Sequence, residues 1–224
     1  ATSCGSPTYQ YDSADRLLSS PFASGYQYDA HGNLVGATPA ACSGCATKEA
    51  MTYDVNDHAT TIDDGSSTTA DTLSAGGRVL REVVSSDSTH ATSSDVTYGY
   101  AGGGDSPAYT RPTGGGAVTT YITGPGGMMV IDQGGSPGYP VSDGKGDIVG
   151  SVSASGQYTA YPDFDEFGNQ SAVPGQLGWH GGAERFQKGG SLQLVGMGAR
   201  LYDPHLGRFL GVDPVTGGSA NAYD

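Results

Sequence analysis

A short motif that combines tyrosine with aspartate restricts this chain to folds built from stacked β-hairpins. The motif occurs three times, as YQYDSADRLLS from Tyr9, YQYDAHGNLVG from Tyr26 and MTYDVNDHATT from Met51. Its aspartates are Asp12, Asp29 and Asp54. A unit that returns at intervals of roughly 20 residues is typical of architectures in which each copy packs on its neighbours.

Each copy begins with a strand in which residues alternate between two faces. Tyr9 and Tyr11 share one face in the first copy, and Tyr26 and Tyr28 share one face in the second. Tyr53 holds the same position in the third copy as Tyr11 and Tyr28 in the first two. The alternation predicts a tyrosine-bearing strand in front of each aspartate.

A turn follows each aspartate. It ends at Asp15, Gly32 or Asp57, where we expect a residue that tolerates positive φ. The carboxylate before the turn can accept the backbone N–H groups of that turn. We therefore predict a structural role for these aspartates, with a second short strand completing each hairpin.

More hairpins follow the three clear copies. A weaker copy is DTLSAGGRVLREV from Asp71 to Val83, a strand is predicted from Val96 to Tyr100, and glycine-rich turns continue to about Gly138. One hairpin cannot bury its apolar face alone. We predict an all-β fold in which antiparallel hairpins form a continuous spiralling sheet, an open shell or barrel-like wall, with an irregular C-terminal segment.

Composition limits the functions open to such a sheet. Leu, Ile, Val and Phe make up roughly 16% of the chain and the net charge is −13, a combination found in disordered chains. We expect a folded β protein instead, because 14 Tyr and many Val and Thr residues alternate between turns supplied by 38 Gly. With 10 Lys and Arg, no nucleic-acid partner is expected.

Targeting signals are equally sparse in the sequence. No apolar run approaches the roughly 20 residues of a membrane span, so no membrane insertion is expected. The first residues lack the basic and apolar regions of a signal peptide. We expect that a leader has been removed or that the chain is a piece of a larger protein.

The three cysteines predict a disulfide. Cys42 and Cys45 form an isolated C-x-x-C, without a second pair or a histidine at metal-ligand spacing. The alternatives are a bond within that loop or a bond from Cys4 to one of the two. Either bond suits an oxidising compartment.

The last third of the chain has a different pattern. YPVSDGKGDIVGSVSASGQYTAYPDFDEFGN spans Tyr139 to Asn169, and LVGMGARLYDPHLGRFLGVDPVTGGSANAYD follows from Leu194. Together with the repeats, these segments resemble YD-repeat proteins of the Rhs group, which are related to toxin-complex C components and teneurins. The second segment resembles the Rhs core pattern L-x-x-x-x-A-R-x-Y-D-P-x-x-G-R-F-x-x-x-D-P.

The resemblance implies a domain division and a function. Residues 1–138 would be a YD-repeat region, and residues 139–224 an Rhs-repeat-associated core-like region that is truncated before the cleavage site. The implied function is a shell and plug module of a secreted Rhs-type polymorphic toxin or of a bacterial cell-surface protein. It would encapsulate or present a C-terminal polypeptide, and its partner would be that cargo. The alternative is an extracellular filament or adhesive protein, whose partners would be other copies of itself or a cell-surface or glycan receptor.

The resemblance also implies a site of self-cleavage. The family uses an arginine and two aspartates as an aspartyl-protease-like site, and the matching positions are Arg200 and Asp213. The second aspartate belongs to a later segment that this sequence does not contain. Two carboxylates must share the acid and base roles, so the chain holds at most a remnant of the site. The alternative is a structural ion pair across packed strands, with Pro214 ending the strand.

The rest of the core pattern predicts packing. Asp203 before Pro204 indicates a turn, while Arg208 and Phe209 indicate a packed strand whose arginine extends its cation to solvent. The core-motif residues are Tyr202, Asp203, Pro204, Gly207, Arg208, Phe209 and Pro214.

No cofactor or metal is expected. The acidic stretches Asp143 to Asp147 and Asp163 to Asn169 offer carboxylates to calcium, but neither fits the twelve-residue loop with its terminal glutamate. Both match turn segments of the family instead.

Overall fold

The fold is built almost entirely from short β-strands. A computed structural model describes residues 8–41, 45–124, 127–170, 177–215 and 221–223. The strands of the large sheet are β1 (Gln10–Tyr11), β2 (Leu17–Ser19), β3 (Ala23–Tyr28), β4 (Leu34–Pro39), β5 (Glu49–Tyr53), β6 (Ala59–Asp63), β7 (Ser67–Leu73), β8 (Val79–Ser86), β9 (Thr92–Gly99), β10 (Tyr109–Pro112), β11 (Thr119–Gly124), β12 (Gly127–Gln133), β13 (Pro137–Ser142), β14 (Ile148–Ser153) and β15 (Tyr158–Ala160).

These fifteen strands follow one another in chain order within a single antiparallel sheet. Each strand pairs with the next because short turns join neighbours directly. Within the described residues the sheet is not closed, since β1 and β15 each pair on one side. The sheet extends across the 138/139 position and ends at Ala160. The predicted all-β architecture of stacked antiparallel hairpins is confirmed.

The C-terminal segment adds a second, smaller sheet where the sequence predicted irregular structure. Its strands are β16 (Gln187–Lys188), β17 (Leu194–Met197), β18 (Arg200–Asp203) and β19 (Arg208–Phe209), in that order. Two short 3₁₀ helices, Gly181–Ala183 and Gly190–Leu192, lie beside them. No helix among the described residues is long and apolar enough to cross a membrane.

The large sheet curves around this small sheet. Leu17 of β2 belongs to one buried cluster with Leu194 and Leu201, while Ile148 of β14 belongs to another with Phe186. In a flat sheet, β2 and β14 would lie about 58 Å apart at roughly 4.8 Å per strand, far more than four strands can span. One face of the large sheet therefore forms a concave wall, and the apolar side chains of the C-terminal segment fill it.

Candidate functional site

The three motif aspartates organise their turns with the same set of hydrogen bonds. Asp29 Oδ1 accepts the backbone N–H groups of His31 and Asn33, both at 2.9 Å. Asp12 accepts those of residues 14 and 16, and Asp54 those of residues 56 and 58. The carboxylates therefore play the predicted structural role.

The positive φ values lie where the sequence predicted them. Asp15, Gly32 and Asp57 have φ values of 58°, 93° and 64°. Glycine pays no steric penalty there, and aspartate tolerates this region better than most residues. At Gly32 space is restricted as well, because an added Cβ would lie 2.8 Å from Val212 Cγ2.

These hydrogen bonds favour the ionised form of each aspartate. Burial acts to raise the pKa of Asp29, but hydrogen bonds from the Asn33 side chain and from the turn amides outweigh it and lower the pKa below its usual value. The same balance lowers the pKa of Asp54, where the amides of His58 and Asn56 contribute most of the lowering. Each turn thus depends on a charged carboxylate.

The same turn recurs outside the three clear copies, including within the weaker copy predicted from Asp71 to Val83. Asp143 accepts the N–H groups of residues 145 and 147, and Asp165 those of residues 167 and 169. Ser74 and Ser153 use their hydroxyl oxygens in the same place, four residues before the amide that they bind. A search for Asp or Ser followed three residues later by Gly or Asp would have found them.

These bonds also define the two acidic stretches considered for calcium. Asp143 in the first stretch and Asp165 in the second use their Oδ1 atoms to accept hydrogen bonds from backbone amides. Across the described residues, no group of three or more His, Cys, Asp or Glu side chains is arranged to hold a metal ion.

Tyrosine hydroxyls connect successive hairpins. The hydroxyl of Tyr28 lies 2.9 Å from the N–H and 3.2 Å from the carbonyl oxygen of Leu17. Tyr53 donates to the carbonyl of Leu34 at 2.9 Å. In each case the tyrosine before one turn aspartate contacts the return strand of the previous copy, so the motif determines the stacking as well as the hairpin.

The core-motif strand β19 packs against the first repeat. Arg208 Nη2 donates to the carbonyl of Asp15 at 2.9 Å, and the guanidinium carbon lies 4.6 Å from the ring centre of Tyr223. Arg208 is 8% exposed. The prediction that its cation extends to solvent is wrong, because a wall carbonyl and aromatic rings surround it.

Other core-motif residues pack as a small aromatic group. The Tyr202 ring stacks on Trp179 at 4.9 Å and meets the edge of Phe209 at 5.6 Å. Pro204 accepts a 2.9 Å hydrogen bond from the side chain of Asn169. Gly207 has a φ of 63°, in the left-handed region that favours glycine.

Hydrogen bonds between distant residues join the wall to the C-terminal segment along a line we call the seam. Near the first two turns it comprises the bond of Arg208 to Asp15, a 2.8 Å bond from the Tyr223 hydroxyl to the Gly32 carbonyl, and a 2.8 Å bond from the Leu34 N–H to the Leu210 carbonyl. Further along, Asp64 Oδ2 accepts the N–H and the hydroxyl of Ser191 at 2.9 and 2.7 Å. Asp147 Oδ1 accepts the N–H of His180 at 2.8 Å. The seam follows the wall from its first turn to its later ones.

A buried ion cluster lies on the seam and was missed from the sequence. Lys188 Nζ donates to Asp71 Oδ2 at 2.7 Å and to Glu82 Oε2 at 2.6 Å. Burial acts to lower the pKa of Lys188, but the charges of Glu82 and Asp71 outweigh it and raise the pKa. The ammonium is therefore charged, and it balances carboxylates that face each other on β7 and β8. A register shift between Thr72 and Leu73 means that counting outward from the turn would not have paired Asp71 with Glu82.

The structure brings the two predicted cleavage residues together. Arg200 Nη2 lies 3.4 Å from Asp213 Oδ2, and both side chains are 17% exposed. Asp213 Oδ1 accepts the N–H of Val215 at 2.8 Å. In the described part of the chain, no hydrogen bond or ion pair joins Asp213 to a second carboxylate, so this geometry by itself holds one carboxylate beside a guanidinium.

The surroundings of this pair differ from the expected strand. β19 ends at Phe209, so Asp213 and Pro214 follow the strand rather than completing it. The Arg200 guanidinium instead lies 3.6 Å from the Phe209 ring centre, and the Asp213 N–H donates to the carbonyl of Ala222 at 2.7 Å.

Of the three cysteines, only Cys45 lies among the described residues. Cys45 is disulfide-bonded. Cys4 and Cys42 both lie outside the described residues, so the choice between the two pairings stays a prediction.

Comparison with known proteins supports the fold. No protein-family model and no curated protein matches this chain. A crystal structure of TcdB2-TccC3-TEV is 15% identical with a TM-score of 0.58, covering 97% of this chain and 14% of that one. A crystal structure of TcdB2-TccC3 without its hypervariable C-terminal region is 15% identical with a TM-score of 0.59, covering the same shares. This chain therefore spans 14% of the length of those chains. At this identity the similarity concerns the fold alone, and the shared fold is an Rhs-like one.

Proposed function

We propose that this chain is a structural wall and core module of a secreted or cell-surface Rhs-type protein, which encloses or presents a C-terminal polypeptide. The repeat region is residues 1–138 and the core-like region is residues 139–224. The observation that carries the proposal is the seam, because it holds the core-motif strands against the concave face of the repeat wall.

The position of the last described residues supports enclosure. Tyr223 is 2% exposed, and its hydroxyl binds the second turn of the wall. Polypeptide that continues from this point starts at the junction of wall and core segment. The similar TcdB2-TccC3 protein has a hypervariable C-terminal region, and we propose that the corresponding region of a longer form of this protein is the enclosed cargo.

Protease protection tests this role. An unstructured extension of about thirty residues is attached after Asp224, and the same extension is attached before Ala1 as a matched control. We expect the C-terminal extension to be cut at least tenfold more slowly by proteinase K, as followed by mass spectrometry. Equal cutting of both extensions would refute enclosure.

A variant that disrupts packing at the seam provides a second test in the same experiment. Leu194 is fully buried and Leu201 is 6% exposed, and both pack against the wall. The Leu194→Asp variant places a charge in that interface, so it should remove the protection. Val55→Asp, at a side chain that is 89% exposed, is the matched control and should retain it.

Self-cleavage is a second candidate function, because Arg200 and Asp213 lie in contact and largely buried. We propose that a carboxylate from the segment after Asp224 completes the site. A longer protein that includes the natural continuation should then cleave itself. The Asp213→Asn variant should not cleave itself, and its thermal melting temperature should show that the fold is preserved. An extended wild-type chain that stays intact on a denaturing gel would exclude this function.

Assembly into filaments is the alternative to enclosure, since β15 presents an outer edge and Tyr158 is 56% exposed. Light scattering after size-exclusion chromatography and electron microscopy separate the two functions. A monomer supports enclosure, whereas regular fibres support assembly.

A further inference from the structure

A pocket on the seam contains two buried carboxyl groups and an aromatic entrance. We call it the seam pocket, and its volume is about 160 Å³. Tyr26 of β3 and Glu49 of β5 line it from the wall, while Asp203 of β18 and His205 line it from the C-terminal segment. It is separate from Arg200 and Asp213, which do not line it.

Glu49 is the buried carboxyl group on the wall side of the pocket. The residue is 4% exposed, and among the described residues its buried Oε1 atom has no hydrogen-bond partner. Burial raises the pKa of Glu49 to about 8, with the negative charge of Asp203 as the second cause. At neutral pH the pocket therefore holds a protonated carboxyl whose Oε1 atom has no partner in the described part of the chain.

Asp203 supplies the second carboxyl group and is 7% exposed. Its Oδ1 accepts the N–H of His205 at 2.8 Å, and the ring Nδ1 of His205 lies 3.5 Å away. The hydrogen bond to Asp203 raises the pKa of His205. Tyr26 is the remaining titratable group on the wall side, and its hydroxyl is bonded to Ser20 at 2.8 Å.

The entrance is aromatic, and His205 is its one basic side chain among the described residues. Phe22 is 44% exposed and its ring centre lies 5.8 Å from that of His205. Among the described residues, no lysine or arginine lines the pocket. An aromatic face attracts an organic cation through its quadrupole, whereas the acidic floor disfavours anions.

We propose that the seam pocket binds a primary alkylammonium group, with Glu49 as the carboxylate that receives it. An ammonium has three N–H donors and no acceptor, which matches a floor made of two carboxyl groups. The volume of about 160 Å³ is well above the roughly 10–15 Å³ that one water requires, so the pocket can admit a small organic cation such as n-butylammonium. The convergence needed for a metal ion is missing among the described residues, so an organic cation is the better match.

Binding of the ammonium releases a proton. Glu49 enters the complex as a carboxylate, so its proton goes to the buffer while the ammonium retains its own. Below pH 8 each bound cation therefore displaces about one proton, and affinity should rise about tenfold from pH 6 to pH 7. Protonation of His205 adds repulsion at low pH and acts in the same direction.

Isothermal titration calorimetry of the whole chain with n-butylammonium chloride tests the proposal, independently of the proposed enclosing role. We expect saturable binding in phosphate and in HEPES at pH 7, two buffers without a primary ammonium. The heats should differ by about the difference between the ionisation enthalpies of the two buffers, because about one proton is released. Glu49→Gln should remove the proton release and weaken binding at least tenfold. Glu166→Gln, at an exposed residue, is the matched control and should change neither.

Further arms identify the source of the ammonium. Tighter binding of N-acetyl-lysine amide than of putrescine supports a lysine side chain of a polypeptide, and the reverse order supports a free amine. Absence of binding by wild-type protein at pH 8 would overturn the proposal, as would a Glu49→Gln variant that binds n-butylammonium as tightly as wild type. The wild-type pH series keeps the test decisive if the variant folds poorly.

Discussion

Glu49→Gln isolates the effect of one buried carboxyl group on stability. In the folded protein, burial keeps Glu49 protonated up to about pH 8, whereas its ordinary pKa is 4.5. Between these values the folded state holds a proton that the unfolded state has lost. The free energy of unfolding therefore falls as pH rises from about 4.5 to 8, and the loss is complete above that range.

The magnitude follows from the difference in pKa. A difference of about 3.5 pKa units corresponds to about 4.8 kcal/mol in total, of which about 3.5 kcal/mol develops between pH 5 and pH 8. Glutamine has nearly the same shape and cannot ionise. The variant should thus gain about 3.5 kcal/mol relative to wild type across that interval, a large part of the 5–15 kcal/mol typical of a domain.

Urea denaturation followed by Trp179 fluorescence, at half-unit steps from pH 5 to pH 9 without reductant, provides the measurement. Other titrating groups, including His205, are present in both proteins, so subtraction of the two curves leaves mainly Glu49. The exposed Glu166→Gln variant should follow the wild-type curve. Wild-type and Glu49→Gln curves that remain parallel within about 0.5 kcal/mol would show that Glu49 is not held neutral, and would remove the proton release expected when the seam pocket binds a cation.

Three further predictions concern the wall and the seam. Lys188→Met leaves Asp71 and Glu82 buried without their cation and should destabilise the protein by about 3–5 kcal/mol, whereas replacing all three with apolar residues should cost far less in the same urea titration. Tyr53→Phe removes the hydrogen bond of a tyrosine hydroxyl between neighbouring hairpins and should lower the free energy of unfolding by about 1 kcal/mol. Hydrogen exchange of the backbone amides at that junction should become faster than in wild type. Asp29→Ala leaves turn amides without their acceptor and should cost about 1 kcal/mol at pH 7. Because folding lowers the pKa of Asp29, this cost should shrink as pH falls from the ordinary value of 3.8 through the lower folded value, and a constant cost would contradict the role.

The repeat architecture could be derived from local sequence because its main interactions are local. The carboxylate of Asp54 binds amides two and four residues later, so one motif contains the complete turn. The turn at Ser153 was missed because serine replaces aspartate there, although a hydroxyl can accept the same amide, as Ser74 does in the weaker copy that was predicted. The side chain still accepts the turn amide although serine replaces aspartate.

The groups with unusual electrostatics could not be derived in this way. Glu49 and Lys188 each depend on which side chains the curved wall brings close to the C-terminal segment. Lys188 is 117 residues from Asp71 in the chain, and Arg208 is 193 residues from Asp15. Alternation indicates which face a residue occupies, but it does not indicate which residue lies opposite across the seam.

The sequence by itself determined the hairpins, their turns and their order, because the bonds that define them close within a few residues and need no distant partner. Only the tertiary structure decided that the wall bends around its own C-terminal segment, that Arg208 is buried rather than solvated, and that Glu49 is buried close enough to Asp203 to feel its charge. The reason is that burial and charge depend on surroundings assembled from the whole chain, and small differences in twist between strands accumulate over fifteen strands.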